Sequence, residues 1–128
     1  ILRALCTLGG AMQGQNIRIS QGGRINTCTG IFYDAGGAAG DHSGNGSTQQ
    51  ITLCSNDGGA LSHIVVTFQN LTIDGTLQVF NGDDITAPEF PVITSGDGPG
   101  LSVAASESNS TGCLTFLFTS TGTGAGCA

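Results

Sequence analysis

Nowhere in this chain do apolar residues keep a helical period over a window long enough to build a helix. They recur instead at every second position in short runs, and the runs are cut apart by glycine-rich clusters. With 22 glycines among 128 residues, an ordered chain of this kind must turn often, so its strands must be short and numerous. The sequence predicts about nine. Alternation places them at residues 16–20, 24–29, 31–34, 48–54, 61–68, 71–73, 76–80, 101–105 and 113–119. Ile51 and Leu53, then Ile64, Val66 and Phe68, then Leu114, Phe116 and Phe118, mark the inward faces of three of them. Residues 16–29, turning at Gln21-Gly22-Gly23, form a candidate hairpin. Pro88 and Pro91 restrict their neighbourhood to a loop or a sheet edge. The fold class expected is all-β, an antiparallel two-sheet sandwich.

Charge narrows the partners. Only 9% of residues are charged, the net charge is −6, and lysine is absent. Three arginines cannot neutralise a phosphate backbone or dock on an anionic lipid surface, so neither nucleic acid nor a membrane is an expected partner. No segment approaches the ~20 apolar residues needed to cross a bilayer. Five cysteines with no metal-type spacing point to disulfides and to an oxidising, extracellular or cell-surface setting. The number is odd, so one thiol is free or pairs with another chain.

Catalytic signatures are lacking. His42 sits among glycines and His63 opens a strand, and no nucleophile elbow, zinc-protease helix or phosphate-binding loop occurs. Asp83, Asp84 and Glu89 read as solvated turn residues rather than as an acid/base pair, and no enzyme is expected. Asn45, Asn70 and Asn109 each head an Asn-x-Ser/Thr sequon and are candidate glycan acceptors.

Five segments in order resemble the CUB-like domains of secreted bacterial proteins. They are Cys28-Thr29-Gly30-Ile31-Phe32-Tyr33-Asp34-Ala35-Gly36-Gly37, Ile51-Thr52-Leu53-Cys54, Ile64-Val65-Val66-Thr67-Phe68, Leu77-Gln78-Val79-Phe80-Asn81-Gly82 and Gly112-Cys113-Leu114-Thr115-Phe116-Leu117-Phe118-Thr119-Ser120. The resemblance spans residues 24–120 and implies a jelly-roll sandwich with a Cys28–Cys54 bond, a crosslink contributing about 3 kcal/mol. Calcium-binding members of that family use three acidic positions. Here Asp74 alone stands near one of them and Thr121 replaces another, with Asp34 and Asp41 as weak candidates from a neighbouring loop. One carboxylate does not supply the six to eight oxygens calcium takes, so no cofactor is expected.

The resemblance also implies a last core strand ending in a cysteine, and this chain instead reads Gly124-Ala125-Gly126-Cys127-Ala128. A surplus apolar run lies at the other end, residues 1–8, joined by a small-residue linker to residue 16. Residues 1–15 thus read as an extension, and residues 16–128 as the CUB-like unit. The run also has the look of a signal-peptide tail. Read as a strand, with Leu2, Leu5 and Leu8 as its apolar residues, it has the length and character of the missing piece. Cys6 would then stand in for the family's final cysteine opposite Cys113; the alternative, Cys113–Cys127, leaves Cys6 over. Three outcomes follow: the run enters a neighbouring copy and builds a head-to-tail homopolymer, it folds back into its own chain as a permuted monomer, or the chain is a fragment. The expected function is accordingly an extracellular structural subunit that polymerises by strand addition. The alternative is a ligand- or protein-binding module of a larger adhesive protein.

Overall fold

A computed structural model describes residues 2–6, 16–19, 22–27, 29–33, 48–55, 63–68, 75–94 and 100–120. Among them are nine strands: β1 (Leu2–Cys6), β2 (Asn16–Arg18), β3 (Arg24–Asn26), β4 (Thr29–Tyr33), β5 (Thr48–Cys54), β6 (Ile64–Phe68), β7 (Gly75–Phe80), β8 (Ser102–Ala104) and β9 (Leu114–Ser120). No α-helix occurs among the described residues. The expected strand at 71–73 lies outside them.

The strands form two sheets, ordered β2-β4-β1-β6-β8 and β3-β5-β9-β7. Five of the seven pairings are antiparallel. The two that are not, β2 with β4 and β3 with β5, sit at one edge of each sheet. The hairpin expected over residues 16–29 is therefore corrected: β2 and β3 belong to different sheets. The Gly22-Gly23 pair, both at positive φ (62° and 68°), turns the chain from one sheet to the other. Only glycine adopts that backbone cheaply twice in succession.

One core holds both sheets. β6 shows the two-residue period directly, with Ile64, Val66 and Phe68 wholly buried and Val65 and Thr67 half-buried. Ile51, Leu53, Leu77, Val79, Leu114, Phe116 and Phe118 of the second sheet join the same cluster, along with Ile17, Ile93 and Val103. Phe68 and Phe116 are its largest fully buried side chains. Burying an aromatic side chain contributes roughly 1.5–3 kcal/mol, so these two positions weigh heavily in the core.

The second sheet is buried on its other face as well. Thr52 and Thr115 pair across β5 and β9 on the face away from the core cluster, with their hydroxyls 2.9 Å apart and buried. The Thr115 hydroxyl donates to the Gly82 carbonyl (3.0 Å), so the loop after β7 lies over this face. Gly82 is buried there, and a Cβ on it would stand 2.5 Å from that of Ala87, which admits nothing larger than glycine. The outer edge of β7 is closed by the segment around the two prolines. Leu77 and Ile93 exchange both backbone bonds (3.0 and 2.9 Å), Phe90 N–H donates to Val79 C=O (2.9 Å), and Asn81 N–H donates to Pro88 C=O (2.8 Å). The prolines thus sit at a sheet edge, where their missing N–H costs nothing.

Candidate assembly site

β1 is the middle strand of its sheet, antiparallel to β4 on one side and to β6 on the other. Its register is fixed along its length. Leu2 lies opposite Phe32 and Phe68, and Ala4 opposite Gly30 and Val66, while Cys6 lies opposite Ile64. Directly opposed residues share a face of a sheet. Leu2, Ala4 and Cys6 are thus in phase with the buried Phe68, Val66 and Ile64, and Arg3 and Leu5 are in the opposite phase. The expected apolar set Leu2, Leu5 and Leu8 is corrected in part: three residues apart, Leu2 and Leu5 fall on opposite faces, because a strand repeats every two residues. Leu8 lies outside the described residues.

Two rows cross the sheet at this strand. One runs Ile17–Phe32–Leu2–Phe68 and ends at Leu101, whose carbonyl accepts from Phe68 N–H (2.8 Å). The other runs Gly30–Ala4–Val66–Val103. One row is built of large apolar residues, and the other pairs Gly30 and Ala4 with two valines.

The slot lies in the same chain as the strand, and the connection is longer than that placement needs. Leu5 is level with Thr29 and Asn16 with Ile31, on opposite sides of β4. With strands about 4.8 Å apart and residues advancing about 3.3 Å, Cys6 and Asn16 are on the order of 14 Å apart. Nine residues join them, three of which are glycine. Nine residues reach about 30 Å when extended, roughly twice the gap.

The disulfide differs from the pairings expected. Cys54 bonds Cys113, with the two Cα atoms 4.2 Å apart. This corrects the Cys28–Cys54 pairing and both alternatives for Cys113, with Cys6 and with Cys127. The reason is strand order: β5 lies directly beside β9, and the pair following Leu53 and Leu114 in their register is Cys54 and Cys113. Their spacing is close to the ~4.5 Å of a non-hydrogen-bonded antiparallel pair. Both sulfurs are fully buried. Cys28 and Cys127 lie outside the described residues.

Other candidates separate cleanly. Asp34, Asp41 and Asp74, the calcium candidates, and the sequon residues Asn45 and Asn70 lie outside the described residues. No group of three metal-ligating side chains occurs among the described residues. Asn109 is corrected as a glycan acceptor. It is buried, and its Nδ2 donates to Asn81 Oδ1 (3.0 Å) and to the Cys113 carbonyl (2.7 Å). Its Oδ1 accepts from the Thr111 hydroxyl (2.6 Å) and N–H (3.2 Å). A glycan on that nitrogen would displace bonds holding β9 to the loop before it. Asp83 makes an exposed ion pair with Arg24 (3.6 Å), and Glu89 accepts from the Gln78 amide (3.2 Å). Asp84 closes its own turn, accepting from the hydroxyl and N–H of Thr86, which hold its carboxyl below the ordinary value. All three acids are thus turn and edge residues, as the sequence implies.

Sequence reasoning missed a cleft of about 250 Å³ between the segment closing β7 and the edge strand β8. Phe90, Val92, Ile93, Leu101 and Val103 line it, and Val92 is 45% exposed. Its only sequence signal is Val92-Ile93 following a proline. No helix among the described residues is long and apolar enough to cross a membrane. No protein-family model matches the chain, and neither a curated protein nor a solved structure shows significant similarity to it.

Proposed function

We propose that this chain is an extracellular structural subunit of CUB-like, jelly-roll character that polymerises head to tail by passing β1 to a neighbouring copy. The observation that carries the reading is the central place of β1 in a five-stranded sheet. Without it the sheet divides into β2-β4 and β6-β8, each with a newly unpaired inner edge. Unpaired strand edges recruit strands from other chains. A strand on a connection twice the needed length can fill the same slot in the next molecule with an identical register. Each copy that gives its strand away keeps an open slot, so the chain of contacts does not close. The buried Cys54–Cys113 bond accords with an oxidising compartment. The cleft at Phe90 and Val103 favours a second reading, a module holding an apolar ligand or peptide within a larger adhesive protein.

The test is deletion of residues 1–15. Electron microscopy and size-exclusion chromatography should find polymer for the full chain and none for the deletion. A peptide of residues 1–8 should then bind the truncated chain with one-to-one stoichiometry. Polymer that survives the deletion overturns the reading.

A further inference from the structure

We infer that the outer edge of β8 docks one extended peptide segment, apolar in the residue it inserts and basic at its flanks. The segment pairs with β8 backbone to backbone and fills the adjoining cleft. The inference rests on the second reading of that cleft and narrows it to one class of partner. It holds whether or not β1 passes between copies.

β8 ends its sheet, with β6 as its neighbour. The ladder fixes which way its polar groups point. Phe68 N–H donates to Leu101 C=O (2.8 Å), and Ala105 N–H donates to Ile64 C=O (2.9 Å). Val103, opposite Val66, has the same phase. In an antiparallel ladder the residues between them turn their N–H and C=O the other way. Those residues are Ser102 and Ala104, and their backbone groups find no bond among the described residues. Their side chains are exposed, while Val103 is buried. The edge thus presents two donor–acceptor pairs two residues apart, the spacing at which an added strand bonds.

The cleft beside this edge says what the segment carries. Its walls are residues 90–93 of the segment closing β7 and residues 101–104. No charged side chain lines it among the described residues, and the Ser102 hydroxyl is already bonded to that of Thr67 (2.8 Å). A small polar ligand would find no free side chain to orient it, so backbone groups are left to recognise the partner. At about 250 Å³ the cleft is also below the ~300–1,000 Å³ of a site enclosing a whole small molecule. The opposite wall contains Pro91, which has no N–H to give, and this directs pairing to β8. A second copy is the poorer occupant, because four residues on each wall fall far short of the roughly 20–30 per side of a stable interface. Charge sets the flanks. At −6 with no lysine, the chain repels an acidic segment and draws in a basic one.

The probe is a fluorescently labelled peptide of alternating valine and threonine with an arginine at each end, added to the full chain. Anisotropy should report saturable one-to-one binding. Hydrogen exchange, read residue by residue by mass spectrometry, should show Ser102 and Ala104 newly protected. Methylating one alternate set of the peptide's amides should weaken binding about tenfold, and methylating the other set should leave it unchanged. Ala104→Pro removes an outward donor and spares the Ala105–Ile64 bond, and Val92→Glu puts a charge in the wall at an exposed position. Each variant should abolish binding while β6 keeps its protection.

Binding that survives both variants, or that tolerates methylation in either phase, overturns the inference. So does protection of Ser102 and Ala104 that rises with chain concentration in the absence of peptide, which would identify a second copy. Neutral N-phenylnaphthylamine separates this inference from the reading it rests on. If the dye binds, Val92→Glu abolishes its binding and the peptide does not bind, the inference fails and an apolar-ligand module stands. If neither probe binds, both fail.

Discussion

The two sheets share a core but are secured differently. The β5-β9-β7 sheet has its middle strand inside the chain, tied to a neighbour by a buried disulfide, capped on its outer face by the Gly82 loop and closed along β7 by the proline segment. The β4-β1-β6 sheet takes its middle strand from the beginning of the described chain, over a connection with length to spare. Both sheets contribute buried apolar residues to the one core. The difference lies in how each middle strand is anchored, and on the proposed reading one half of this molecule serves as a frame and the other as a socket.

The largest effect should come from removing β1. In the chain lacking residues 1–15, amide hydrogen exchange should accelerate throughout β4 and β6, while β5 and β9 keep their protection. Equal loss in both sheets would show that they are a single cooperative unit and would dissolve the contrast. Next comes the disulfide. Replacing Cys54 and Cys113 together by alanine removes a crosslink across 59 residues, and denaturant unfolding should report a loss of about 4 kcal/mol. Polymer formation by the folded variant should persist, because the bond lies in the frame.

A smaller effect tests the outer face. Thr52→Val deprives Thr115 of its hydroxyl partner and should cost about 1–3 kcal/mol. The double change with Thr115→Val should cost less than the sum of the two singles, and strict additivity would mean that the hydroxyls do not interact. The smallest effect concerns Asp84, whose carboxyl lies below its ordinary value of 3.8 because Thr86 donates to it. A depressed carboxylate stabilises the folded state above its unfolded value. That contribution fades as pH falls below about 4 and through the lower folded value. Thr86→Val should raise the Asp84 titration midpoint, read by carboxyl-carbon NMR, and flatten this part of the acid limb. An unchanged midpoint would mean that the hydroxyl contact is absent in solution.

Much of the strand pattern was legible because the core side of each strand repeats every second residue. Ile64, Val66 and Phe68, and Leu114, Phe116 and Phe118, announce their faces in one dimension. Partnership is different. Nothing in residues 16–29 distinguishes a hairpin from two short strands that separate into different sheets, since Gln21-Gly22-Gly23 serves either path. The same holds for the cysteines. Cys54 bonds Cys113 because β9 flanks β5, and that adjacency is a property of the fold rather than of spacing. The spacing of Leu2, Leu5 and Leu8 suggested an apolar strip, but the register selects Leu2, Ala4 and Cys6, a set too small and mixed to stand out as a pattern.

On the same reading, Arg3 would give the socket a means of rejecting errors. It lies opposite Ile31 and Thr67, one residue out of phase with the core. An incoming strand that docked one residue out of step would carry its guanidinium to the positions of Leu2 or Ala4, among groups that offer a buried charge no counterpart. A polymer built this way would proofread each joint as it forms, through a penalty borne by the copy that misaligns.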